Sequence, residues 1–368
     1  MEFLLILVAA GLLFLLSFTN GSNDVSKAIA TLAGAGLTSV NGAIAWGTLW
    51  TIAGSLSGLL WGSAIIKNIS SSIYLTTHEF FVPVALAVAI APILWVALAT
   101  WRKWPVSTTH AVVGGLVGTG LMAYGLDSID WHTLSQKIIL PLLASPFMAI
   151  ALAWLFAPSL EKATKLMGRV RVCLTPAPKL SLKSASTHTM ESQDNCLVCD
   201  CDDPRASMTH GITLSVNTLH WLTSGLLSFS RGLNDTPKLI AIVLPFFLLD
   251  NLMAPSWLFI WAALAMGAGS WFAGKNITEV LGFNITKMNH EQGFSANLIS
   301  AFLVIAASRY GLPVSTTHVS SSAIMGVGIA NKKRLNMKTI KGMLFAWLVT
   351  APVAAFIAAL TYLIGSLF

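Results

Sequence analysis

Charge is what this chain has least of. Asp, Glu, Lys and Arg make up only 10% of its 368 residues, against about 25% in an ordinary soluble domain. So little charge cannot coat a solvated surface, and a hydrophobic content of 55% with a mean hydropathy of +0.73 points to lipid as the solvent. A basic leader is missing as well: the first apolar run, 3–16, follows no lysine or arginine and passes into polar, helix-breaking residues without a small-x-small cleavage site. It reads as a mature helix and not as a secretory signal. Basic residues interleaved with aromatics are also absent, so the net charge of +7 does not indicate nucleic acid. No nucleophile elbow or zinc-protease motif is present, and no catalytic residue is assigned.

What is there is apolar length. Runs 3–16, 42–66, 81–101, 138–156, 257–272 and 343–367 approach or exceed the span of a bilayer, and the whole chain predicts about ten membrane segments of roughly 20 residues. The fold class is therefore an all-α integral membrane protein. Its basic residues mark topology. Lys162, Lys165, Arg169, Arg171, Lys179 and Lys183 crowd one loop, and Lys332, Lys333, Arg334, Lys338 and Lys341 another. Both face the cytoplasm by the positive-inside rule. The loop with Asp127 and Asp130 has no basic residue until Lys137 and leans outward, as does the N-terminus.

Sliding the chain against itself exposes a repeat. Ser22-Asn23-Asp24-Val25-Ser26-Lys27 returns 211 positions later as Leu233-Asn234-Asp235-Thr236-Pro237-Lys238. Lys67-Asn68-Ile69 returns as Lys275-Asn276-Ile277, and Pro105-Val106-Ser107-Thr108-Thr109-His110 returns intact as Pro313-Val314-Ser315-Thr316-Thr317-His318, both 208 positions on. The acidic loop after the first hexapeptide corresponds to the basic loop after the second, so equivalent loops lie on opposite sides of the membrane. Two inverted-topology repeats are expected, the plan of secondary transporters with a site at mid-depth. The divisions are a first transmembrane repeat at 1–158, a cytoplasmic linker at 159–209 and a second, inverted repeat at 210–368. A short surface helix is expected near 160–170.

The repeated residues carry the chemistry. Asn23-Asp24 follows Thr19-Asn20-Gly21-Ser22, and Asn234-Asp235 lies between Gly232 and Pro237, surroundings that predict unwound helix with free carbonyls. A carboxylate at membrane depth costs about 2.5 to 3.5 kcal/mol and marks a pathway. The competing reading is an aspartate that caps the next helix. Each Pro-Val-Ser-Thr-Thr-His precedes a small-residue helix, as a helix start does. Unpaired N–H groups, the positive dipole end and hydroxyls there form an anion site, and two starts face to face would grip a tetrahedral oxyanion. The alternative is plain N-capping by Ser107 and Ser315. His110 and His318 read equally as shuttles or as satisfied buried side chains. Lys27 and Lys238, three residues past the aspartates, either pair with them or snorkel to the interface, and snorkelling is the reading preferred. In the linker, Cys196, Cys199 and Cys201, with His188, His210 and Cys173 near in sequence, are a candidate zinc site. On the cytoplasmic side these thiols stay reduced.

At Gly21-Ser22-Asn23-Asp24-Val25 and Arg231-Gly232-Leu233-Asn234-Asp235-Thr236, together with the two Pro-Val-Ser-Thr-Thr-His elements, the sequence resembles the inorganic phosphate transporter (PiT) family over both halves. The resemblance implies an inverted-repeat helical fold with broken or re-entrant helices at the substrate site. It also implies phosphate held by Ser107, Thr108, Thr109, Ser315, Thr316 and Thr317, and cation sites at Asn23, Asp24, Asn234 and Asp235. The sequence departs from the family pattern at Lys27, where asparagine is common, and at Asn297, where glutamate is common. The expected function is phosphate import by cation symport with alternating access, through a chain that is not an enzyme and has no resident cofactor beyond a linker zinc. Two bare aspartates would repel phosphate unless a cation bound with it, and hard oxygen ligands favour sodium over a proton. A sulfate transporter of the same fold and an anion channel are the alternatives, and a serine hydrolase is a remote third. Expected partners are inorganic phosphate, sodium or a proton, membrane lipid and a second copy of the chain. The expected location is a prokaryotic plasma membrane.

Overall fold

The computed structural model describes residues 2–70, 82–167, 170–173, 198–200, 211–213, 215–247 and 254–367. The first half runs through α1 (Glu2–Asp24), α2 (Ser26–Gly34), α3 (Val40–Trp61), α4 (Ser63–Ser70), α5 (Val82–Trp101), α6 (Thr108–Tyr124), the short α7 (Trp131–Leu134) and α8 (Leu140–Met167). The second half runs through α9 (Val216–Val243), α10 (Ser256–Ala273), α11 (Lys275–Asn284), α12 (His290–Arg309), α13 (Thr316–Ala330) and α14 (Met337–Gly365). Between the halves lie three short strands, β1 (Val170–Cys173), β2 (Val198–Asp200) and β3 (Gly211–Thr213). They form an antiparallel sheet in the order β2-β1-β3. The expected boundary at 158 falls inside α8, which continues unbroken across Pro158, so the surface helix anticipated there is the end of α8.

Among the described residues, six helical stretches are long and apolar enough to cross a membrane: Phe3–Gly34, Val40–Trp61, Val82–Trp101, Trp131–Lys165, Ser256–Ala273 and Met337–Gly365. They cover most of each apolar run read from the sequence. Their outer faces carry bare large side chains, among them Phe3, Leu60, Phe272 and Leu348, a display that water would penalise and lipid does not. The interior holds buried polar and charged side chains beside its apolar clusters, while the lipid-facing surface is apolar.

Neighbours pair across the halves in a reciprocal way. Helix α1 packs on α10 and α9 on α3, while α6 packs on α14 and α13 on α8. Glycines permit the close approach. A Cβ on Gly21 of α1 would strike the Met266 carbonyl of α10, and one on Gly232 of α9 would strike the Thr51 carbonyl of α3. Small residues at such crossings let backbones touch, which is how helices associate where the hydrophobic effect cannot drive them. The largest apolar cluster joins Leu13 and Leu16 of α1 to Leu239 and Ile240 of α9 and to Phe259 and Met266 of α10. It seals one flank of the polar centre.

Candidate functional site

Both hexapeptides start helices, as their sequence requires. Ser107 is the N-cap of α6 and Ser315 the N-cap of α13, each extended in backbone, and their hydroxyls accept from the amides of His110 and His318 at 3.2 Å. The capping reading thus holds for the serines, since a cap oxygen satisfies one orphan donor of the first turn. The threonines do something else. Thr109 Oγ1 donates to the Val314 carbonyl at 3.4 Å, and Thr317 Oγ1 donates to the Val106 carbonyl at 2.8 Å. Each helix start is therefore tied to the segment that leads into the other. The two starts converge, and Ser107, Thr108, Thr109, Ser315, Thr316 and Thr317 are all buried there. Just inside, the rings of His110 and His318 lie 4.4 Å apart. His110 Nδ1 is 2.8 Å from Ser107 Oγ, and His318 stacks on Trp347 at 4.0 Å.

The aspartates reach the same place without any unwinding. Helix α9 passes through Asn234, Asp235 and Pro237 intact, and α1 yields to α2 over the single residue Val25, whose backbone stays α-helical. The expectation of broken helix here is corrected. Gly21 and Gly232 serve close packing against α10 and α3, not chain reversal. At the α1–α2 step the Ser26 hydroxyl takes up the Asn23 carbonyl at 2.8 Å.

Snorkelling of the lysines is corrected too. Lys27 and Lys238 are each only 2% exposed and form ion pairs with Asp24 and Asp235. One turn of helix sets that meeting, as three-residue spacing allows. Lys27 Nζ donates to Asp24 Oδ1 and, at 2.9 Å, to the Val106 carbonyl. Lys238 Nζ donates to Asp235 Oδ1 at 2.8 Å, to Thr109 Oγ1 at 2.9 Å and to the Val314 carbonyl at 2.9 Å. The second carboxylate oxygens face the midline: Asn20 Nδ2 donates to Asp24 Oδ2 at 3.2 Å and to Asp235 Oδ2 at 3.4 Å, and Thr108 Oγ1 donates weakly to Asp24 Oδ2 at 3.5 Å.

Of the four expected cation ligands, Asn23 has protein partners on both its side-chain nitrogen and its oxygen, while Asn234 is bonded only through its nitrogen. Asn23 Nδ2 donates to Thr100 Oγ1 and to the Trp104 carbonyl, both at 3.0 Å, and its Oδ1 accepts from Val106 N at 3.2 Å. It clamps the chain ahead of α6. Asn234 Nδ2 donates to Ser308 Oγ at 2.7 Å, and its Oδ1 is buried without a protein partner. Asn297, singled out as a departure, donates to Thr31 Oγ1 at 2.8 Å beside His220, away from the aspartates.

Two site residues escaped the sequence reading. The local sequence marks Asn20 only as a helix breaker and Arg231 only as part of a motif. Arg231 is 1% exposed and donates to Thr51 Oγ1 at 2.6 Å and to Asn20 Oδ1 at 3.4 Å, while its Nε–H has no protein acceptor. The signal was available, because the 211-residue offset that aligns the aspartates also aligns Asn20 with Arg231. With Arg231 included, three cations face two carboxylates, so the centre carries one formal positive charge. Two bare aspartates repelling an anion, the arithmetic of the sequence, is replaced by a centre that attracts one.

No group of three His, Cys, Asp or Glu side chains suited to a metal comes together among the described residues. The linker thiols Cys196 and Cys201 lie outside them, and Cys199 stands in β2 opposite Arg171 of β1.

Residues 20–358 match the phosphate transporter family. A probable low-affinity inorganic phosphate transporter of Bacillus subtilis is 28% identical over 99% of this chain and 98% of its own length. Another of that description from Rhizobium meliloti is 29% identical, covering 98% and 96%, and a putative phosphate permease of Thermococcus kodakarensis is 26% identical, covering 98% and 97%. A solved structure titled the sodium-dependent phosphate transporter shares the fold with a TM-score of 0.78 over 99% of both chains, at 24% identity. These relatives are transporters and not enzymes, and a polar centre wrapped in apolar, outward-facing helices is the architecture of a multi-pass membrane carrier. The chain belongs to the phosphate transporter family.

Proposed function

We propose that this chain imports inorganic phosphate by symport with a cation, sodium before a proton, through alternating access. The observation that carries the reading is the meeting of two helix starts, Ser107 to Thr109 and Ser315 to Thr317, beside a buried centre with one net positive charge. Helix N-termini and hydroxyls hold oxyanions without a full countercharge of their own, and Arg231 supplies an unshared N–H. The family supports phosphate as the substrate. Sodium is supported by the hard oxygens left at the midline, Asp24 Oδ2 and Asp235 Oδ2, and by the description of the solved relative as sodium-dependent.

The two halves are read as inverted repeats, with the linker in the cytoplasm of a prokaryote's plasma membrane. The reciprocal pairing of α1 with α10 and of α9 with α3 supports a two-fold relation between them. Four further helices, α6, α9, α12 and α13, are read as the remaining membrane elements of the ten expected. Of these, α6 and α13 are short, and α9 and α12 are rich in polar residues. Because Asp24, Asp235, Lys27 and Lys238 are at most 3% exposed, the centre is shut to both sides. An ion reaches it only when the halves move.

The test is uptake of radiolabelled phosphate into proteoliposomes with sodium and proton gradients imposed separately, and with sulfate as competitor. Accumulation driven by the sodium gradient is expected. Uptake indifferent to both gradients would reject symport, and preference for sulfate would reassign the substrate.

A further inference from the structure

Lys238 uses its three N–H bonds on three oxygens: a carboxylate, a threonine hydroxyl and a peptide carbonyl, at 2.8, 2.9 and 2.9 Å. The Asp235 carboxylate and the Val314 carbonyl come from the second half, and Thr109 comes from the first. Lys27 makes two of the three equivalent contacts, to Asp24 Oδ1 and the Val106 carbonyl, both from the first half. Carboxylate, hydroxyl and carbonyl oxygens are the ligands that hard cations take, and helix-end carbonyls beside carboxylates hold monovalent cations in membrane carriers. An ammonium with three donors fits such a cage as a compact point charge. Both lysines are fully enclosed, so neither reaches an interface where its charge would be hydrated.

We propose that Lys27 and Lys238 are tethered cations: their ammonium groups fill two oxygen cages that would each accept a free monovalent cation if emptied, and so they keep the anion site competent without two such ions. A free cation entering either cage would meet a like charge in contact and be expelled. The countercharge for phosphate is thus largely built into the chain, and only the midline carboxylate oxygens remain for a travelling ion. Lys238 adds a second effect. Its bond to Thr109 Oγ1 orients that hydroxyl at the start of α6, so the same ammonium that neutralises Asp235 helps shape the anion's cradle.

The inference rests on the phosphate reading, and the experiment separates the two. Equilibrium binding of radiolabelled phosphate to the purified full-length chain in nanodiscs is measured across sodium concentrations, with choline as the replacement ion and radiolabelled sulfate run in parallel. The parent chain is expected to bind in choline, with a log–log dependence of affinity on sodium no steeper than one ion. Lys27→Asn and Lys238→Asn should each lose about tenfold in choline and regain it in sodium, with the slope rising by about one ion per lysine removed, as linkage requires. A parent that needs two or more sodium ions overturns the proposal, as do variants whose slope matches the parent's. If the asparagine variants prove misfolded by size exclusion, the parent's slope alone decides. Absence of phosphate binding in every buffer, with sulfate bound, defeats the phosphate reading and leaves the slopes for sulfate to judge the tethers.

Discussion

Replacing Asn23 by alanine should cost stability before it costs ion dependence. The sequence placed Asn23 and Asn234 in equivalent cation sites, yet the structure gives them unequal work. Asn23 makes three bonds, two of them buried, to Thr100 Oγ1 and the Val106 amide, and one partly buried, to the Trp104 carbonyl. Thr100 keeps its other bond, to the Val96 carbonyl at 2.8 Å, but the two backbone groups lose the partner Asn23 gave them. A buried polar group left unpaired costs about 1–3 kcal/mol, so Asn23→Ala should destabilise by about 2–5 kcal/mol. Asn234 makes one bond, to Ser308 Oγ, which still donates to the Val304 carbonyl at 2.7 Å. Its removal should cost about 0.5–1.5 kcal/mol, the worth of an ordinary hydrogen bond. Titration with SDS in mixed micelles, followed by tryptophan fluorescence, measures both. Equal losses at the two positions would refute the clamp, and so would a stable Asn23→Ala protein whose only defect is a changed sodium dependence.

Two further outcomes are expected. Gly21→Val and Gly232→Val should each destabilise by about 1–3 kcal/mol through overpacking, because carbonyls of Met266 and Thr51 stand where the new side chains must go. Gly11→Ala, with open space around it, should stay within about 0.5 kcal/mol, and the same SDS titration distinguishes them. Asp24→Asn alone should lower the yield of folded protein, since breaking a buried pair strands Lys27 at a cost of about 3–5 kcal/mol. The double change Asp24→Asn with Lys27→Met should recover much of that yield in size-exclusion profiles while phosphate uptake stays lost.

The sequence made some of this legible for a plain reason: lipid forces apolar length, and duplication writes its own alignment. The spans and the two helix starts followed from those facts. Asp24 and Lys27 were read apart because a lone lysine near a membrane edge has a cheap route to water, and only packing shows that route closed. The helix through Asp235 was misread because Gly232 and Pro237 are breakers in water, where no neighbouring helix presses against the glycine. Arg231 is not announced by any local pattern, because its partners, Asn20 and Thr51, are 211 and 180 positions distant.

The glycine crossings bear on how such a carrier can move. On α1 and α10 the fit is mutual, Gly21 against the Met266 carbonyl and Gly269 against the Phe18 carbonyl; on α3 and α9 it is Gly54 against Phe229 and Gly232 against Thr51. Two knuckles seated in each other at two levels prevent axial sliding, so each pair behaves as a single strut. Because one strut carries Asp24 and the other Asp235, a tilt of one against the other would pull the two carboxylates apart, and the stroke and the grip become the same motion.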